Sequence, residues 1–178
     1  METYKVTYKW TKEEVLKSVR HHYQSKLRPI IVAAINVMAV LLTALSIFIL
    51  TQQGLRSSAS PTACVISALA IYWFFLRRQV NDWWLSRGFD KTPAANELIQ
   101  WEFSEEQVSQ ECAGLVSFKA DWKVFSKIME ASDGFLLYTY PKNMFYWLPF
   151  AGFQAPEGIE KFKSIVHRKQ IPYVKTTG

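Results

Sequence analysis

The stretch that decides the layout is 29–78: PIIVAAINVMAVLLTALSIFIL (29–50), TQQGLRSSAS (51–60) and PTACVISALAIYWFFLRR (61–78). Its first apolar run, Ile30 to Leu50, carries no formal charge over 21 residues. As a helix rising ~1.5 Å per residue it reaches ~30 Å, about the depth of a bilayer's hydrocarbon layer. The second run, Pro61 to Leu76, is shorter at 16 residues. The pair reads as a transmembrane helical hairpin over 30–78. A second run too short to span would lie as a re-entrant segment or a buried core helix.

Charge follows this layout. The net charge is +6, with +4 in residues 1–29, +1 at Arg56, +1 over 77–97 and zero over 98–178. A nucleic-acid module concentrates its basic residues on the folded domain. Basic residues beside apolar runs instead imply topology and anionic lipid headgroups as partners, with no role for nucleic acid. The 29 residues before the first run are too many and too charged for a signal-peptide head, and no small-residue cleavage site follows the run, so it reads as an uncleaved anchor.

Within the first run, Asn36, Ala39, Thr43 and Ser46 fall on one helical face; in the second, Ala63, Ser67 and Ala70 do the same. Small residues let helix backbones approach, and Asn or Ser bonds across the gap, so these stripes are expected to face each other. Asn36 has a competing reading as part of a transport path. Lys26 and Arg28 precede the first run, and Arg77 and Arg78 follow the second. The positive-inside bias then puts both termini in the cytoplasm. Trp73, Trp83 and Trp84 are expected to settle with these residues at the inner interface.

Outward from the hairpin, Tyr4 to Trp10 alternates as a strand, with Tyr4, Val6, Tyr8 and Trp10 on one face. Its expected partner is the C-terminal sheet. Thr11 and Glu14 form a capping-box pattern, opening a basic helix from Lys12 toward Lys26 whose apolar face is Val15, Val19 and Tyr23 with Leu16 beside them. After the second run the helix continues to about Ser86, and Gly88 and Pro93 break it. Short strands follow over 98–155, with turns at Ala113-Gly114, at Asp133-Gly134 with positive φ, and at Pro141 to Asn143. Pro156 opens a closing helix with Ile159, Phe162, Ile165 and Val166 on its apolar face. The fold class is a membrane α-hairpin plus α+β: a small antiparallel sheet capped by a C-terminal helix. The expected divisions are 1–29, 30–78, 79–97 and 98–178.

Catalytic and metal patterns are missing from the sequence. His21 and His22 are adjacent, diverge by about 100° on a helix, and read as solvated. Cys64 and Cys112 have no Cys or His at ligand spacing, and no disulfide framework is expected. No nucleophile elbow or glycine-rich phosphate loop occurs. Glu105-Glu106 reads as a solvated pair, and Asp121 as the cap of a single helical turn before Trp122. No cofactor is implied.

Residues WEFSEEQV (Trp101 to Val108), Gly114, Trp122, Phe125-Ser126-Lys127-Ile128, FLLYTY, Leu148-Pro149, Phe153 and the closing helix carry a resemblance. The chain resembles the YcxB-like family of bacterial membrane proteins. The resemblance implies a short N-terminal segment, two membrane helices and a C-terminal domain like a minimal pleckstrin-homology-type (PH-like) fold. It also implies a bacterial inner-membrane location. Family members often carry basic residues after the proline of the Leu-Pro strand; Phe150 and Ala151 stand there, which argues against an anion site at that point. The resemblance implies architecture and no activity. The expected function is therefore non-enzymatic: a membrane protein whose cytoplasmic domain binds a partner protein, a lipid headgroup or another copy of itself. The alternatives are an accessory or immunity-type subunit acting through its helices, and an enzyme on membrane lipids.

Overall fold

The computed structural model describes residues 3–26, 29–53, 60–112, 116–140 and 144–176. The expected turns at Ala113-Gly114 and Pro141 to Asn143, together with Arg28 and Arg56, lie outside the described residues, as does the side chain of Lys26. The chain forms two compact units: Met1–Tyr23 with Ser86–Gly178, and Gln24–Leu85. The N-terminal strand is hydrogen-bonded into the C-terminal unit, as its alternation led us to expect.

In the first unit, β1 (Tyr4–Lys9) pairs antiparallel with β2 (Leu98–Phe103), Val6 lying opposite Trp101. β3 (Gln107–Cys112) and β4 (Val116–Asp121) complete a sheet of order β1-β2-β3-β4. Alternation decides which face is buried. Val6, Tyr8, Ile99, Trp101, Phe103, Val108 and Cys112 are buried, while Lys5, Gln100, Glu102 and Ser109 between them reach solvent.

The ladder stops at a 3-10 turn, Trp122–Val124, where the Asp121 carboxylate accepts from the Lys123 amide at 2.9 Å. The turn redirects the chain, and a second sheet begins. It holds β5 (Phe125–Glu130), β6 (Gly134–Thr139), β7 (Phe145–Pro149) and β8 (Tyr173–Lys175), in the order β7-β6-β5-β8. Helix α5 (Pro156–Arg168) separates β7 from β8. The expectation of one small antiparallel sheet is therefore corrected to two four-stranded sheets, the second of them mixed. β8 pairs parallel with β5, which the intervening helix permits by carrying the chain back to the same end.

The core lies between the sheets and α5. Trp101, Phe103, Trp122, Phe135, Phe162 and Ile165 are fully buried in it. Gly152 lets the short turn after β7 approach β1, since a Cβ there would meet Val6 at 2.9 Å. β6 differs from its neighbours: all six residues are buried. Phe135 and Leu137 enter the main core, while Leu136 and Tyr138 join Met129, Ala131 and Trp147 in a second cluster on the opposite face. Helix α1 (Lys12–Lys26) meets that second face through Glu14, His21 and His22.

In the second unit, α2 (Pro29–Gln53) packs against α3 (Ser60–Ile71). A π-helical segment, Tyr72–Leu76, then joins α3 to α4 (Arg77–Phe89) without a break. Pro61–Phe89, 29 residues, is long and apolar enough to cross a membrane; the described apolar part of α2, Ala33–Ile49, is shorter. The second run, marginal by its own length, thus gains reach from the helix that continues it.

Candidate functional site

Three groups of polar side chains tie the described elements together. The first is on the helix pair. Ser46 is buried and donates its hydroxyl to the Ala63 carbonyl of the facing helix at 3.1 Å. Ala63 and Ala70 are buried as well. Thr43 and Ser67 turn inward on their own helices, donating to the Ala39 carbonyl at 2.7 Å and the Ala63 carbonyl at 2.9 Å. Asn36 lies further along: its side-chain oxygen accepts from Trp73 Nε1 at 3.2 Å. Arg77 stacks its guanidinium over the same indole, 4.2 Å from the ring centroid. Asn36, Trp73 and Arg77 therefore form one chain of contacts, with Trp73 inside the π-helical segment. Such segments replace the regular ladder and shift the side chains that follow.

Trp83 and Trp84 stand apart from this group. Eleven residues separate Trp73 from Trp84, ~16 Å along a helix. Trp83 and Trp84 contact each other edge to face at 5.6 Å, and Arg78 lies 4.0 Å from Asp82.

The second group is the seat of α1 on β6 and β7. Glu14 half fulfils its capping role: its amide donates to the Thr11 hydroxyl at 3.4 Å. Its carboxylate does not return to the cap. It accepts instead from Trp147 Nε1 at 2.6 Å and from Lys17 at 2.9 Å. The bond to Glu14 raises the Lys17 ammonium above its ordinary value. One turn on, Ser18 is buried. His21 Nε2 then meets Asp133 Oδ1 at 2.6 Å, its ring stacked on Trp147 at 5.7 Å. His22 Nδ1 meets the Tyr138 hydroxyl at 2.9 Å, its ring stacked on Phe145 at 4.5 Å. Tyr8 closes the group from β1, donating to the Trp147 carbonyl at 2.6 Å. Burial pushes its phenol well above the ordinary range.

The seated face of α1 is thus Glu14, Ser18, His21 and His22, at helical spacing. This corrects the expected apolar face, because Tyr23 is 59% exposed. It also corrects the reading of the histidines as solvated; both rings are packed and hydrogen-bonded. A polar face can seat on the sheet because aromatic rings supply flat area while Asp133, Tyr138 and the Trp147 indole satisfy the polar atoms.

Chemically, the His21–Asp133 pair is a base with an orienting carboxylate. The nearby Ser132 hydroxyl lies against Asp133 at 3.4 Å, so hydroxyl, carboxylate and imidazole stand in the wrong order for the imidazole to take the hydroxyl's proton. Among the described residues no group of three His, Cys, Asp or Glu could hold a metal. Cys112 is buried, which raises its thiol, and Cys64 is exposed on α3.

A third polar cluster ties the chain's end to the sheet. The Glu130 carboxylate takes Lys163 of α5 at 3.2 Å, Lys175 at 3.8 Å and the Tyr173 hydroxyl. Arg168 of α5 pairs with Glu105 of the first sheet's β2–β3 turn.

No spacing rule joins α1 to Asp133 and Trp147, over a hundred residues away. One signal was present: FLLYTY is apolar without alternation, as in a strand covered on both faces.

Residues 103–166 match the family model for YcxB-like protein. No curated protein and no solved structure matches the chain.

Proposed function

We propose that this chain, YcxB-like over residues 103–166, is an integral membrane protein whose two-sheet unit serves as a binding module at the cytoplasmic face of a bacterial inner membrane. The observation that carries the reading is the continuous helix Pro61–Phe89, which is long and apolar enough to cross a bilayer and presents Leu69, Phe75 and Trp84 outward at 62%, 70% and 66% exposure. Apolar side chains displayed on that scale cost free energy in water and none in lipid.

The helix α2 is the second span. It covers 25 residues from Pro29 to Gln53, and its neighbour α3 supplies the acceptor for buried Ser46. Both ends of the hairpin then lie on one side, which the flanking Lys and Arg residues make the cytoplasm. Two sheets closed by a C-terminal helix fit the PH-like reading, and this supports a role in binding a protein or an anionic headgroup rather than in turnover.

Extraction of membranes with alkaline carbonate tests the first part. The full-length protein is expected to stay in the pellet, and a tag after Gly178 is expected to resist protease added outside intact cells. Recovery in the supernatant would overturn the reading. For the second part, the solubilised full chain is tested for retention on a bilayer or a protein partner, with the two-sheet unit exchanged while the helices are kept. Retention that follows the helices alone would overturn the binding role of the sheets.

A further inference from the structure

The two-sheet unit leaves a few large apolar side chains in solvent, and three of them lie where the chain departs toward α2. Tyr140 and Met144 flank the β6–β7 turn at 68% and 55% exposure. Tyr23 is the third, at 59%. Ring contacts tie Tyr23 to the strand ends next to the other two. His22, next to Tyr23 and in edge contact with it at 5.6 Å, stacks on Phe145 at 4.5 Å and reaches Tyr138 at 5.6 Å. Phe145 adjoins Met144, and Tyr138 lies two residues before Tyr140, which directly follows β6. Pro29 begins α2 six residues after Tyr23, a reach of at most ~20 Å of extended chain. Basic groups surround the edge. Lys127 stands 4.5 Å over the Tyr138 ring, and Arg20 is exposed one helical turn before Tyr23.

We propose that this edge, Tyr140 and Met144 with Tyr23, is a lipid-contact surface that rests in the headgroup layer of an anionic bilayer. The inference depends on α2 being membrane-embedded, as proposed above. Tyrosine suits that layer because its ring is apolar and its hydroxyl is wet. Methionine fills irregular apolar surroundings at low cost. Lysine and arginine within a Debye length of anionic lipid are attracted to it. Tyr140 and Met144 then act with Tyr23 as a second foothold beside the covalent one.

The test uses the full chain in nanodiscs of phosphatidylcholine with phosphatidylglycerol. A fluorophore is placed at native Cys64 or, in the Cys64→Ala background, at Tyr140→Cys, Met144→Cys or Ser132→Cys. Ser132 lies at the opposite end of β6 and is exposed. Quenching is read with lipid-borne nitroxide and with aqueous iodide. The expected result is strong lipid quenching at Cys64, lipid quenching at 140 and 144 at least about twofold above that at 132, and a fall at 140 when phosphatidylglycerol is withdrawn. If Cys64 is lipid-quenched but 140 and 144 respond only to iodide, the inference is overturned and the membrane reading stands. Protection of 140 and 144 from both quenchers would mean a protein contact instead, and also overturns it. If Cys64 itself escapes the lipid quencher, the membrane reading fails and the inference fails with it.

Discussion

A methyl group added at Gly134 would fall 2.6 Å from the Leu148 carbonyl oxygen and 2.6 Å from the Trp147 ring. Close approach, not a left-handed backbone, is what this glycine supplies. The hairpin closes with the Ala131 amide donating to the Gly134 carbonyl at 2.8 Å, which makes Ser132 and Asp133 its central pair. Among the described non-glycine residues positive φ occurs at Asn96 and Gln170, not at Asp133, so the expected Asp-Gly turn with positive φ is corrected. Gly134→Ala is expected to destabilise the unit by ~1–3 kcal/mol, the usual cost of forcing a methyl into packed surroundings. A thermal melt unchanged by the substitution would contradict the contact. Glu130 is the second residue with a sharp expectation. Burial alone would raise its carboxyl, but the Tyr173 hydroxyl and the Lys163 ammonium outweigh burial and hold it below the ordinary 4.5. A carboxyl depressed in the folded state stabilises above its unfolded value and loses that contribution as pH falls through the folded value. Lys163 behaves oppositely. Burial opposes its charge, but Glu160 and Glu130 outweigh it and lift the ammonium above 10.5, so its contribution is lost only as alkaline pH passes that raised value. Glu130→Gln should therefore cost ~1–3 kcal/mol at neutral pH and flatten the acid limb of stability below pH 4.5. Melting the full chain across that limb checks it, and an acid limb as steep as the parent's would rule the coupling out.

At the scale of elements, much of the layout follows from pattern. Alternation in 4–10 and 98–103 reports half-buried strands, and the spacing of Phe162, Ile165 and Val166 reports a helix lying on a core. Asp121 before Trp122 marks a capped turn, as the structure has it. The same reading ran the strands into one sheet, because a three-residue 3-10 turn leaves no periodic signal and a three-residue parallel strand such as β8 leaves hardly more. The seat of α1 was illegible for a different reason. The sequence offers Val15, Val19 and Tyr23 as the helix's contact face, while the residues that seat it, Glu14, His21 and His22, meet their partners Trp147, Asp133 and Tyr138 through tertiary structure alone. The Asn36–Trp73–Arg77 chain of contacts was half visible, since Asn36 stands out in an apolar run while its indole partner does not. The seat of α1 yields a prediction at this scale. Helices held by a few polar contacts open locally at lower cost than a core does. His21→Ala removes the Asp133 contact and the stack on Trp147, and should speed amide exchange over 15–23 about tenfold, equivalent to ~1.4 kcal/mol. Exchange in β2 and β3 should not change. Acceleration spread evenly through both sheets would show α1 to be part of one cooperative core rather than a separately seated element.

For the whole molecule, the decisive fact is where the apolar hairpin enters the chain. β1 and β2 are hydrogen-bonded neighbours in register from Tyr4 opposite Phe103 to Lys9 opposite Leu98, yet the entire helical unit, Gln24–Leu85, lies between them in sequence. The closure is tight where it begins: the Trp10 amide donates to the Glu97 carbonyl and the Asn96 amide to the Trp10 carbonyl, both at 2.9 Å. Lys12 adds a bridge to Asp90 at 2.9 Å. The two-sheet unit therefore completes its own ladder and its own core without any strand from the helical unit. A unit so closed should survive removal of what is inserted into it. Replacing residues 24–85 by about 15 residues of Gly and Ser supplies a flexible span of ~20 Å and leaves every described strand in place. The shortened chain is expected to remain in the supernatant, to melt cooperatively, and to keep the near-ultraviolet signal of its packed tryptophans. The shortened chain would also separate two roles that the full chain confounds. If it folds and no longer pellets with membranes, lipid association resides in 24–85, and the exposed edge at Tyr140 adds to an anchor it cannot replace. If it collapses into a molten state with solvent-exposed Trp101 and Trp122, the helices are structural partners of the sheets, and insertion into a finished domain is the wrong description of this chain.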